Sequence, residues 1–397
     1  MTVSTAGAPL ARDFWAVASP AGWLHSRAFD VGLIGGVLVF ALGLGCLANA
    51  GAGWFAAVLW IDFWLIAYPH VAAMWTRVAF DRANARRYWF LWTGLPPLVL
   101  LGTAGLANWG GALALNTLYY HWQSYHYTRQ SYGIARAYQR AGEAARALGT
   151  QHRPKSPEGL DLEPGWPQPA PFQVEGDGLR NGAKTPPIRA RGSPSARIGV
   201  TGRDWLTDSV VFVFPIWGWL HRCAQGHTNF FGGALWLPAV PELLASAIGG
   251  VAGFLLVIWG IRARWETGHA WFVLSHVLLT FVSYVAVNEI TRGWIFVNIW
   301  HNAQYVLFVW ASNVRRFAGQ GGAAPRTLAW LCQPANWKMY ALVCFALSTA
   351  GFALLGATVE GFAAIGIGAS LVIYQTLNFH HYVVDAVIWR SPAARGV

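Results

Sequence analysis

Long apolar runs alternate with short connections rich in Trp and Arg along most of the chain. Several runs approach or exceed the ~18–20 residues that cross a bilayer as a helix. The pattern predicts ten helices, over residues 31–50, 54–77, 88–107, 111–135, 207–222, 239–261, 268–289, 292–314, 337–358 and 362–389. Positive residues collect in alternate connections. Arg77, Arg82, Arg86 and Arg87 follow the second helix, Arg136, Arg140 and Arg146 the fourth, and Arg262 and Arg264 the sixth; Arg315, Arg316, Arg326 and Lys338 lie between the eighth and ninth. Arg12 and Arg27 precede the first helix, and Arg390 and Arg395 end the chain. The opposite connections hold only Arg222 and Arg292. By the positive-inside rule the Arg-rich connections and both termini are expected to be cytoplasmic.

Residues 148–206 break the pattern. They are rich in Pro, Gly, Arg and Ser and have no apolar periodicity, so a disordered basic cytoplasmic loop is expected there. It separates residues 1–147, with helices 1–4, from residues 207–397, with helices 5–10, as two parts of one membrane domain.

Composition agrees. Of 397 residues, 55% are hydrophobic and 11% charged, against about 25% charged in soluble domains. The fold class expected is an all-α, polytopic integral-membrane bundle. The net charge of +11 sits between the apolar runs, where it sets topology and does not signal nucleic acid. Four scattered cysteines show neither metal spacing nor a disulfide framework. The first apolar run, from Val31, is too long for the core of a cleavable signal.

The chemistry is carried by histidine. Gln375, Asn378, His381 and Asp385 recur three, three and four residues apart, one polar stripe on an apolar helix, with His380 about 100° away. Ionisable groups inside a span are costly and mark function. One turn from His381, Asp385 is placed to hold its imidazole while the other nitrogen binds a ligand. Counting from the inner ends of the helices puts His70, His121, His126, His276, His301, His380 and His381 in one layer on five helices, roughly 10–15 Å below the cytoplasmic face. His121 and His126 are five apart, about 140° around a helix, so both cannot face one point. His221 and His227 fall on the opposite side. Asn298, His301, Asn302 and Gln304 give the eighth helix a polar face, with Asn302 and Gln304 as supporting residues. Asp62 is the other acid within a span, a candidate proton relay or outer-shell partner. Imidazoles with few carboxylates and no cysteine suit iron, copper or zinc, and this many candidates suits a large or binuclear centre.

In plan, Tyr68-Pro69-His70, His121-x4-His126, Trp300-His301-Asn302 and His380-His381-Tyr382-x2-Asp385 resemble the integral-membrane histidine-motif oxygenases: desaturases, hydroxylases and, more distantly, Brp/Blh-type carotene-cleaving dioxygenases. The His-x3-His and His-x2-His-His boxes of the desaturases are absent. The resemblance implies iron and oxygen-dependent oxidation of a membrane lipid or isoprenoid, with an electron donor on the cytoplasmic side. The residues alone leave two alternatives open: a haem or quinone electron-transfer protein, and a proton- or metal-coupled transporter.

Overall fold

The computed structural model describes residues 22–80, 82–151, 204–317, 326–363 and 369–389. Most of the expected loop, residues 152–203, and both chain ends lie outside the described residues. The described chain is predominantly helical. In order, α1 is Arg27–Asn49, α2 Ala52–Val78, α3 Arg82–Arg87, α4 Trp89–Thr93, α5 Leu95–Gln151, α6 Trp205–Ala224, α7 Glu242–Arg262, α8 Gly268–Ala286, α9 Ile290–Phe317, α10 Arg326–Leu331, α11 Trp337–Ala363 and α12 Ala369–Ile388. Five of them, α1, α2, α5, α7 and α8, are long and apolar enough to cross a membrane.

The apolar pattern locates these helices and misplaces some of their ends. Two expected helices, 88–107 and 111–135, meet without a linker inside α5: Gly111, at φ 60 and ψ −154, breaks the helix in one residue, a conformation in which a Cβ is strained. The second half then runs on to Gln151, past both 135 and the expected start of the loop at 148. Residues 136–151 are polar but rich in Ala, Arg, Gln and Glu, good helix formers. Apolar periodicity therefore ends before the helix does.

A two-residue hairpin pairs Asn229–Phe230 with Gly233–Ala234, an element the apolar pattern does not predict. Its turn residues, Phe231 (φ 51) and Gly232 (φ 74), are both left-handed. Phe231 accepts that strain in a packed setting: its N–H donates to Thr291 Oγ1 at 3.1 Å, and its ring meets Trp294 edge-on at 4.9 Å.

Helix α9 is the axis of the bundle. It is buried along most of its length, packed by α1, α2 and the end of α8. It carries the polar residues Asn298, His301, Asn302, Gln304, Ser312 and Asn313 inside the protein. These lower its hydropathy, and α9 is absent from the five helices that are long and apolar enough to cross a membrane. Contact with α1 is close at Gly45, where a Cβ would lie 2.2 Å from the ring of buried Phe296. Gly45→Ala is expected to destabilise the protein by about 1–3 kcal/mol through overpacking, read as a lowered melting temperature in detergent.

Candidate metal centre

Four of the seven expected ligands meet. His70 comes from α2, His126 from the second half of α5, His301 from α9 and His381 from α12. Each is buried, and one ring atom from each lies within 4.8 Å of those of the other three. The imidazoles form a closed ring. Centroid separations are 5.1 Å for His70–His301, 5.0 Å for His301–His126, 5.0 Å for His126–His381 and 4.3 Å for His381–His70, each pair edge-to-face.

Local structure aims them. In α2 the segment Asp62–Ala67 is π-helical and leads directly into Tyr68-Pro69-His70. Pro69 has no N–H to donate back along the helix and its ring crowds the preceding turn. The wider π turn accommodates it, as π-bulges do at functional sites. On α12, His381 faces the ring and its neighbour His380 points away, as the 100° step requires.

The nitrogens are unpartnered where a metal would bind. Nε2 of His70, His126 and His381, and both ring nitrogens of His301, are buried without a hydrogen bond. A buried polar group left so costs about 1–3 kcal/mol. Neutral imidazole nitrogens converging on one point are the donor set of a transition metal, so the residues fit a metal ion. Packing holds them from behind. His381 Nδ1 lies 3.2 Å from Met74 Sδ, Tyr127 lies against His301 at 4.1 Å, and Tyr382 stacks on His126 at 4.3 Å.

The other three histidines are turned elsewhere. His121 Nδ1 accepts from Trp219 Nε1 at 2.8 Å, on the other side of its helix from His126. His276 Nε2 meets the Val211 carbonyl at 3.0 Å. His380 Nε2 meets the Leu91 carbonyl at 2.7 Å and stacks on Trp75. Counting along each helix grouped all seven; rotation about each helix axis separates them. His221 and His227 lie outside the group.

Among the supporting residues, Asn302 faces both His70 and Asp62. Gln304 is fully buried, and its amide makes no hydrogen bond among the described residues. Asp62 accepts from Asn298 Nδ2. Asn298 Oδ1 accepts in turn from Tyr127 OH, which also accepts from Gln123 Nε2. Trp294 Nε1 closes this chain by donating to Gln123 Oε1 at 2.7 Å. Of these, Gln123, Tyr127 and Trp294 are not singled out by sequence reasoning as site residues. Gln123 and Tyr127 lie three residues before and one after His126 on the same helix, and that spacing was the available signal.

A cleft of about 290 Å³ reaches the ring at His70 and His301. Its lining includes the polar Gln123, Tyr127, Asn298 and Asn302, together with Leu347, Ser348 and Gly351 of α11 and Leu377 of α12. Leu347, Gly351 and Phe80 are exposed, so the cleft reaches the outer surface of the bundle.

No family model matches the chain, and no curated protein or solved structure matches it. The reading of the site therefore rests on its own residues.

Proposed function

We propose that this chain is a ten-span membrane oxidoreductase, its termini cytoplasmic, whose His70, His126, His301 and His381 hold a redox-active metal, iron first among the candidates. Its substrate is a lipophilic molecule, a membrane lipid or isoprenoid, oxidised with oxygen. The observation that carries this reading is the ring of unpartnered imidazoles at the wall of a cleft open on the outer surface of the bundle. When bound, the metal would supply oxygen activation. The chain's own residues hold it, exclude water from it with the aromatic packing around His126 and His301, and orient a substrate in the cleft lined by Gln123, Asn302 and α11. Electrons come from a donor on the cytoplasmic side.

Two observations weigh against the alternatives. Bis-histidine haem needs two facing imidazoles with a macrocycle between them, and the closed ring of four has ring centroids only 4.3–5.1 Å apart. A transmembrane proton path needs relaying groups at both ends. Here the chain through Asp62 ends on the Trp294 indole, which donates and cannot accept.

Metal analysis of detergent-purified protein tests the reading, with a visible spectrum and oxygen uptake on a membrane lipid extract. Bound iron without a Soret band, and oxygen-dependent conversion of a lipid, are the expected results. A Soret band, or no transition metal, overturns it. Reporter fusions at Ala52, Gly110 and Gly361 are expected on the face opposite the termini; a cytoplasmic signal at any two of them overturns the ten-span map.

A further inference from the structure

We propose that Asp385 is a fifth ligand to the metal of the histidine ring, and that Tyr305 is the positioning residue that holds it there. The inference rests on the reading of that ring as a metal site.

Spacing on α12 suggests an outer-shell role: a carboxylate one turn from His381, gripping the nitrogen remote from the metal. The geometry assigns the opposite side. His381 Nδ1 faces Met74 Sδ. It is Nε2, the nitrogen turned into the ring, that lies 3.4 Å from Asp385 Oδ2. Nε2 of His126, the next member of the ring, lies 3.9 Å from the same oxygen. Neither pair is a hydrogen bond, and all three atoms are buried without a partner.

Toward His381 and His126 these separations suit donors sharing one ion; the set whose atoms all lie within 4.8 Å of one another is the four histidines alone, so Asp385 approaches from the His126–His381 side. At about 2.1 Å from a metal, two ligand atoms lie roughly 3.0 Å apart at a right angle and roughly 4.2 Å apart when opposed. The 3.4 and 3.9 Å separations fall between those limits. The carboxylate is aimed by its other oxygen. Oδ1 accepts from Tyr305 OH at 2.6 Å, and the Tyr305 ring packs against His70 at 4.4 Å. One tyrosine thus braces two members of the site.

The setting calls for a cation near Oδ2. Asp385 is buried in the last turn of α12, where the negative end of the helix dipole disfavours a carboxylate. Arg77, over the Trp389 ring at 4.9 Å, adds positive charge to the same end of the bundle. It does not supply Oδ2 with a hydrogen bond.

A fifth ligand changes what the site can do. Four imidazoles alone can close a tetrahedral site, the structural arrangement. Four imidazoles and a carboxylate would leave an octahedral ion one further position, and the cleft reaches the ring at His70 and His301. Such a nitrogen–oxygen set suits iron(II) better than copper(I).

Cobalt(II) loaded into the full-length, detergent-purified protein tests this by its visible ligand-field bands, which are weak for five or six ligands and intense for four. Wild type is expected to bind one cobalt per chain with weak bands. Asp385→Ala is expected to bind more than about 100-fold more weakly, beyond the usual outer-shell range, and to show intense four-coordinate bands. Asp385→Asn keeps the shape, so it covers a failure of the alanine variant to fold, and should shift in the same direction. Tyr305→Phe is expected to keep the weak bands while affinity falls about 10–100-fold, because it removes a support and no ligand. If Asp385→Ala and Asp385→Asn keep the wild-type bands and affinity, Asp385 is no ligand and the histidine site stands. If wild type binds neither cobalt nor iron, the metal reading itself falls and this inference with it.

Discussion

Replacing any one of His70, His126, His301 and His381 by Ala is expected to abolish stoichiometric metal binding, while His121→Ala, His276→Ala and His380→Ala leave it intact. The first four meet within 4.8 Å of one another; the other three are engaged with Trp219, the Val211 carbonyl and the Leu91 carbonyl. Loss of a ligand should exceed the about 10–100-fold effect of an outer-shell change. His380→Ala should instead cost about 1 kcal/mol of stability, the worth of one hydrogen bond. The pairing of His380 with His381 makes this a sharp contrast, since they are adjacent in sequence and opposite in outcome. Chelation should lower the melting temperature of the wild type, because the metal binds only the folded ring. It should leave the four ring variants unmoved. Metal content by mass spectrometry and melting with and without chelator provide the readings. Metal retained in His126→Ala and lost in His276→Ala would mean that the ring is not the site.

Arg222→Met is expected to be the most destabilising change outside the site. Arg222 is wholly buried, although its position after an apolar run reads as a charge in a connection. Its guanidinium donates to the carbonyls of Ser283 at 2.8 Å, Asn288 at 2.7 Å and Val287, and to Gln225 Oε1 at 2.8 Å. The carbonyls belong to the π-helical end of α8, residues Val282–Ala286, and the chain just beyond it. There the helix no longer satisfies its own acceptors. Without the fork these buried oxygens lose their donor, at about 1–3 kcal/mol each. Gly293→Ala should act in the same way, since its Cβ would lie 2.3 Å from the Ser283 oxygen and 2.6 Å from Arg222 Nη2. Arg222→Lys should rescue only partly, because an ammonium cannot reproduce the planar fork. Thermal unfolding and monodisperse yield in detergent measure this; an Arg222→Met protein that melts with the wild type would show that other donors take over the carbonyls.

His70, His126, His301 and His381 were readable in the sequence as candidates because position along a helix is a count of residues. Direction around it is not. His121 and His276 turn away from the ring to Trp219 and the Val211 carbonyl, and only the packing of α5 against α6 and of α8 against α6 fixes that rotation. The π turn in α2 shifts the register between Asp62 and His70, so an ideal 3.6-residue period cannot place those two relative to each other. The hydrogen-bonded chain from Asp62 to Trp294 crosses from α2 to α9 to α5 and back to α9. No spacing along one strand of sequence records such a relay.

By itself the sequence determined the class of the molecule. Low charge and long apolar runs called for a predominantly helical chain, and five of its described helices are long and apolar enough to cross a membrane. It also determined that His301, and His381 with Asp385 one turn on, lie on helices. Tertiary structure alone decided which four of the seven histidines meet, that Asp385 turns toward Nε2 of His381 and His126, that Arg222 is a buried clasp, and that a cleft connects the ring to the outside. The reason is the same in each case. Composition and periodicity are properties of one helix, whereas a donor set, a clasp and a cleft exist only between helices, where the rotation of each is settled by the side chains of its neighbours.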